Sequence, residues 1–360
     1  MKRVLGVKDL GIILSPDKKN EPFYEIDGGG MRDVVINREV VGKNKGVYYL
    51  SYDGAMPGKT DKSYWQTCTA KSKDLISWEK IGVKLLASGN KYPNGSTKVY
   101  KDFCGTLSPW EIYEDGKWYR FYLGSDFVSP EGIPAVNYYT MLATADTLEG
   151  PFHKVIDQKG KEKHVCFPLG KTGAWDDVTS SPGHVLINPK WEKDKINQKK
   201  YIMIYSGSCS GDRMWRSMGL ARTNDLSLTD DFDKQDGNFW VKDKDPIIPL
   251  EHDVENASIY FDENTQTYYL FTNHIYNNEY TDAVWVYWTK DLDKWNPDDK
   301  AVVLDASVST WAKGAIGLPS VIKKDDNTLC LFYDGVDGNG KGHLDRKVGM
   351  CEISLPIKIK

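Results

Sequence analysis

A chain of 360 residues, 40% hydrophobic and 27% charged, has enough apolar material to bury a large core, which excludes a disordered chain. Its 47 Lys and Arg against 51 Asp and Glu leave a net charge of -4, so neither nucleic acid nor an anionic membrane surface is an expected partner. The 12 Trp, 21 Tyr and 11 Phe, with 32 Gly and 16 Pro, favour strands and turns over helices.

From the N-terminus, the apolar stretch up to Leu14 is interrupted by Lys8 and Asp9 before it reaches the length of a secretory segment. No stretch approaches the ~20 apolar residues of a membrane helix. Cys68, Cys104, Cys166, Cys209, Cys330 and Cys351 stand singly, without CxxC spacing, and read as reduced core residues. A cytoplasmic location is therefore the expectation.

Beyond this start the chain repeats itself. Aromatic strands begin at Tyr48, Trp118, Tyr201, Tyr268 and Leu329, roughly 60 to 80 residues apart, each after a turn rich in Gly, Asn or Asp. Before each turn lies another apolar strand: Val34 to Ile36, Trp110 to Tyr113, His184 to Ile187, Ser258 to Phe261 and Ser320 to Ile322. Each pair reads as a β-hairpin. A third strand follows and ends in a polar tail, with Asp74, Asp146, Asp225 and Asp291 at matching places and Trp78 and Trp295 after two of them. These aspartates recur on outer turns and read as structural.

Five such units predict an all-β fold, a five-bladed β-propeller with antiparallel blades around a central channel. The blades are expected at about 27–95, 103–165, 175–245, 250–305 and 312–355, in one domain spanning 1–360. The fifth unit is cut short, and segment 8–16 can supply its missing outer strand, which would protect the edge of the sheet.

In a propeller the innermost strands run in one direction, so residues at their starts converge on one mouth of the channel. These starts carry Asp33 after three glycines, Asp176 and Asp177 after Trp175, and Glu255 after Asp253. Carboxyl groups from different blades in one aromatic-lined pocket suit glycoside hydrolysis, where one activates water and another protonates the leaving oxygen. Trp65, Trp110, Trp175 and Trp215 are candidate sugar platforms. Arg32, His184 and His274 are candidates to hydrogen-bond hydroxyl groups.

Met31 to Ile36 followed by Gly46 to Leu50 resembles the first-blade pattern "DPxV...GxYYL" of glycoside hydrolase family 43 and its five-bladed relatives, families 32, 62, 68 and 117. Ser108 to Tyr113 with Asp115 to Tyr119 resembles their second-blade pattern, and Glu255 to Tyr260 with Tyr268 to Phe271 resembles "EGPHxYK...YYYLF". The resemblance spans roughly residues 27–353. It implies Asp33 as general base and Glu255 as general acid. The family's third carboxylate normally precedes the proline of the third blade, but Pro182 follows Ser180 and Ser181, so Asp177 or Asp176 is the candidate instead.

The resemblance further implies an oligosaccharide substrate of plant or algal origin, cleaved in the manner of an arabinosidase or xylosidase. Because the retaining relatives' "WMNDPNG" is absent, inversion is expected, with the carboxyl groups roughly 6.5 to 9.5 Å apart. No cofactor is required, and a structural calcium ion on the axis is an open expectation. Two alternatives stand beside this reading. One is a carbohydrate-binding propeller without hydrolysis. The other is a glycoside phosphorylase of similar fold, for which Arg32, Arg213 and Arg216 would meet phosphate.

Overall fold

The computed structural model describes residues 1–58, 65–87, 102, 105–125, 138–155, 166, 169–209, 211, 215–227, 240–276, 279–340 and 342–360. The chain opens with strand β1 (Val4–Leu14) and one helical turn, α1 (Tyr24–Asp27). Four strands then make the first blade: β2 (Gly30–Arg38), β3 (Tyr48–Ala55), β4 (Trp65–Ser72) and β5 (Glu79–Leu85), each antiparallel to the next. The second blade follows with β6 (Gly105–Glu114), β7 (Lys117–Ser125), β8 (Tyr138–Ala145) and β9 (His153–Lys154).

In the third blade the inner strand is broken into β10 (Thr179–Ser181) and β11 (Val185–Ile187), both paired with β12 (Tyr201–Cys209), which leads to β13 (Trp215–Thr223) and β14 (Val241–Lys242). The fourth comprises β15 (Val254–Asp262), β16 (Thr267–Tyr276), β17 (Glu279–Thr289) and β18 (Lys300–Asp305). The fifth has β19 (Ala312–Asp325), β20 (Thr328–Asp337) and β21 (Arg346–Ile359), and its outermost strand is β1, with Val4 opposite Ile359 and Leu14 opposite Val348. That pairing covers backbone groups that would otherwise stand open at the sheet edge.

The apolar residues sort into cores that lie between blades. Tyr49 and Leu85 of the first blade meet Trp118, Tyr122 and Met141 of the second. Phe121 and Leu142 meet Met203 and Tyr205 of the third. Ile202 and Ile204 meet Ala257 and Leu270 of the fourth, and Phe271 and Val284 meet Ile316 and Leu331 of the fifth. The last core, Val34, Ile36 and Leu50 with Phe332 and Met350, joins the fifth blade to the first and completes the circuit of a five-bladed β-propeller. A blade packed on both sides needs apolar residues at successive positions, which is why β3 is buried along its whole length and shows no alternation.

Polar side chains also link the blades in repeated ways. Asp27 takes the Tyr52 hydroxyl at 3.0 Å and the Lys80 ammonium at 2.6 Å. Asp102 binds Tyr122 at 2.9 Å and Lys154 at 2.5 Å, and Asp176 binds Tyr205 at 2.9 Å and Lys242 at 2.5 Å. In each case an aspartate ahead of the inner strand is clamped by a tyrosine of the second strand and a lysine of the fourth. The outer-turn aspartates hold their own turns: Asp74 accepts the Ile76 and Ser77 N–H groups, and Asp225 and Asp291 do likewise at Ser227 and Asp293.

Candidate functional site

The inner strands share a local irregularity that points side chains into the channel. Register shifts fall between Arg32 and Val35 in β2, Leu107 and Trp110 in β6, Glu255 and Ser258 in β15, and Gly317 and Ser320 in β19. Inside each shift sits one non-glycine residue with positive φ: Asp33 at 52°, Ser108 at 43°, Asn256 at 64° and Leu318 at 51°. A bulge of this kind inserts an extra residue and re-aims its side chain. These four residues, with Val34, Val35, Trp110 and Pro319, line one small cavity of about 10 Å³ on the channel. In the third blade the break between β10 and β11, at Pro182 to His184, stands at the same place.

Three of the four bulges are held by the preceding blade through the N–H of the positive-φ residue. The Ser108 N–H donates to Asp53 at 2.9 Å, the Asn256 N–H to Ser206 Oγ at 3.1 Å, and the Asp33 N–H to Asp334 at 2.9 Å. Three residues further along, Ile36 donates to Ser320 Oγ, Val321 to Ser258 Oγ and Ile259 to His184 Nδ1, at 3.1, 3.0 and 3.3 Å. His184 therefore stands where two other blades place a serine, and accepts a backbone proton. Burial lowers its pKa to about 4, so the ring is neutral.

Asp33 Oδ2 accepts the Ser108 hydroxyl at 2.9 Å and lies 3.7 Å from Arg32 Nε. The Arg32 guanidinium stacks 4.1 Å above the Trp65 ring and donates to His343 Nδ1 at 2.6 Å. A guanidinium only donates, so the His343 proton is on Nε2. Burial and the charges of Arg32, Arg346 and Arg216 lower the His343 pKa to about 2.

Glu255 precedes the fourth-blade bulge, with Oε2 3.7 Å from Arg216 Nε. That oxygen is sealed from solvent and has no hydrogen-bond partner among the described residues. Burial pushes the Glu255 pKa up, Arg216 and Arg32 pull it down, and Asp33 and Asp253 push it up further. The upward influences prevail, which leaves a carboxylic acid that retains its proton above the ordinary glutamate range.

Asp33 and Trp110 thus line one cavity with Asn256, the residue after Glu255, and Arg32 stands beside Asp33. The His184 ring lies 5.6 Å from that of Trp110, while several of the other expected residues are held elsewhere. Trp175 packs in the core against Tyr205, in space that Gly207 and Gly219 leave open, and is no sugar platform. Asp176 is the third of the Asp–Tyr–Lys clamps, and Asp177 accepts the Gly173 N–H at 2.8 Å within its own loop. His274 is stacked 4.5 Å from Trp285, with Nε2 2.9 Å from the Tyr287 hydroxyl, and burial lowers its pKa to about 3. Trp65 is covered by Arg32, and Trp215 is half-buried at the start of β13. Arg213 lies outside the described residues.

His343 and Asp53 escaped the sequence reading, because His343 lies in the loop after β20 and Asp53 on a second strand. Their only signal is structural: both touch residues flanking the first-blade bulge. Among the described residues no group of three or more His, Cys, Asp or Glu side chains is arranged to hold a metal ion.

No protein-family model matches the sequence, and no curated protein matches it either. Solved structures do. A family 117 glycoside hydrolase from the marine bacterium Zobellia galactanivorans is 16% identical, with 99% of this chain and 92% of that one covered at a TM-score of 0.62. A family 62 hydrolase in complex with xylotriose is 13% identical, covering 96% and 97% at a TM-score of 0.60. A thermostable family 43 glycoside hydrolase is 16% identical, covering 90% of each chain at 0.54. With its five inter-blade cores, the chain has a five-bladed β-propeller fold similar to that of these glycoside hydrolase structures.

Proposed function

We propose that the protein is a glycoside hydrolase with Asp33 as general base and Glu255 as general acid. The observation that carries this reading is Glu255: a carboxyl oxygen shut off from water and without a hydrogen-bond partner among the described residues, raised in pKa, next in sequence to Asn256 of the cavity that Asp33 lines. An acid catalyst needs to hold its proton at working pH, and burial with nearby carboxylates supplies that. The Ser108 hydroxyl fixes one oxygen of Asp33 and leaves the group at the cavity wall.

In the reaction, a water oxygen attacks the anomeric carbon and Asp33 takes its proton. The glycosidic bond breaks as Glu255 gives its proton to the leaving oxygen. Both groups then return to their starting states by exchange with solvent. The substrate is an oligosaccharide of the plant or algal type, and the anomeric outcome is inversion.

Asp33→Asn and Glu255→Gln should each lower kcat on an aryl arabinoside and xyloside panel by about a thousandfold or more, with unchanged circular dichroism. Proton NMR of the first-formed sugar reads the anomer. Full turnover in either variant would remove the assignment, and calorimetric sugar binding without release of reducing ends would point to a binding propeller.

A further inference from the structure

Asp53 is completely buried, a carboxyl group on the second strand of the first blade, directly across from Arg32. Ser108 joins it to Asp33: the Ser108 N–H reaches the two Asp53 oxygens at 2.9 and 3.2 Å, while the Ser108 hydroxyl reaches Asp33 Oδ2 at 2.9 Å. Both carboxyls thus hang from one residue, and Asp53 stands across the strand pair from Arg32, the residue before Asp33. Two carboxyl groups can hydrogen-bond only if one of them carries a proton.

We propose that Asp53 is a positioning residue for Asp33: it is the protonated member of the pair, accepts the Ser108 N–H and donates its own proton to the Asp33 carboxylate. This rests on the glycosidase reading for its catalytic consequence, and on the burial of Asp53 and the Ser108 bridge to Asp33 for its protonation state. The proton belongs on Asp53 because Asp53 has no contact with water, whereas Asp33 lines the cavity. The other charged and titratable groups facing Asp53 are Arg32 on β2 and the Cys68 thiol on β4, and from β6 it meets the Ser108 N–H. Burial and the Asp33 charge raise its pKa well above the ordinary 3.8, against the weaker pull of Arg32.

The corresponding position in other blades supports this. Ser206 and Asn273, across from Ser181 and Glu255, are neutral, and Asp334, across from Gly317, is neutralised by Arg346 at 2.5 Å. Asp53 lacks such a direct ion pair among the described contacts, and a bound proton plays the same part.

Asparagine copies a protonated aspartate, since its carbonyl accepts and its amide donates. Asp53→Ala should therefore lower kcat by about tenfold with little change in KM, and Asp53→Asn should restore it to within about threefold. Asp53→Asn as impaired as Asp53→Ala, or an unimpaired Asp53→Ala, would overturn the proposal. Stability supplies a readout that needs no turnover. A group with a raised folded pKa stabilises fully below its unfolded value and loses that contribution as pH rises, so the wild type should lose urea stability relative to Asp53→Asn as pH rises above the ordinary aspartate value of 3.8. Parallel curves would overturn the protonated pair even in an active enzyme, whereas diverging curves with no glycoside turnover would uphold it and remove only the glycosidase reading.

Discussion

Ser108 shows how much one residue can organise. It sits at positive φ before Pro109, where the strand cannot donate a ladder hydrogen bond, and its two remaining polar groups serve two different carboxyls. Ser108→Ala removes the hydroxyl contact to Asp33 and keeps the N–H contact to Asp53. A hydrogen bond to a charged group contributes about 1.5 kcal/mol, so kcat should fall about tenfold with a near-normal melting temperature. A variant with unchanged kcat would show that Asp33 is oriented by other groups. His184, by contrast, belongs to the wall of the channel: its ring accepts a backbone N–H from the next blade, as Ser258 and Ser320 do in theirs.

At the scale of the element, the bulged inner strand and the Asp–Tyr–Lys clamp are repeated units with opposite duties. The bulge exposes a side chain to the cavity, whereas the clamp buries a charge and ties the loop before a blade to its second and fourth strands. This separates Asp176 from Asp177. Removing one partner of a buried pair leaves the other charge uncompensated, so Asp176→Ala should lose about 3 kcal/mol or more of stability through the stranded Lys242 ammonium. Asp177→Ala removes one loop hydrogen bond and should cost about 1 kcal/mol or less. Urea titration of both variants measures the difference. Equal costs would show that the third clamp carries no weight, and loss of turnover in a fully folded Asp177→Ala would return that residue to the site.

At the scale of the whole molecule, the buried histidines make the propeller sensitive to acid. His184, His274 and His343 have pKa values lowered to about 4, about 3 and about 2, and His252 is lowered too, in each case chiefly by burial. The unfolded chain binds these protons from 6.5 downward and the folded one does not, so the stability they contribute is present above 6.5 and lost as pH falls. His184, His274 and His343 each cost about 1.4 kcal/mol per pH unit between that value and their own lowered pKa. Urea unfolding should therefore show a steep loss between about pH 6.5 and about pH 4.5, and His184→Asn, which keeps an acceptor for the Ile259 N–H, should make it shallower. An unaltered slope in that variant would place the acid sensitivity elsewhere.

The sequence by itself determined the class of fold. Hairpins rich in aromatic residues, repeated five times with turns between them, have one economical way to bury both faces, and that is to stack blades around an axis. It also placed Asp33 and Glu255 at the starts of inner strands, since position within a repeat is legible from spacing alone. Tertiary structure alone decided which neighbours those carboxyls have. Trp175 and Asp176 also stand just ahead of an inner strand, yet one fills a core and the other a clamp, because the fold of a loop sets the direction of a side chain. Asp53 and His343 reach the first-blade bulge from strand two of their own blade and from a loop of the fifth. Such contacts join residues up to 311 positions apart in the chain, as Arg32 and His343 are, and no local pattern records them.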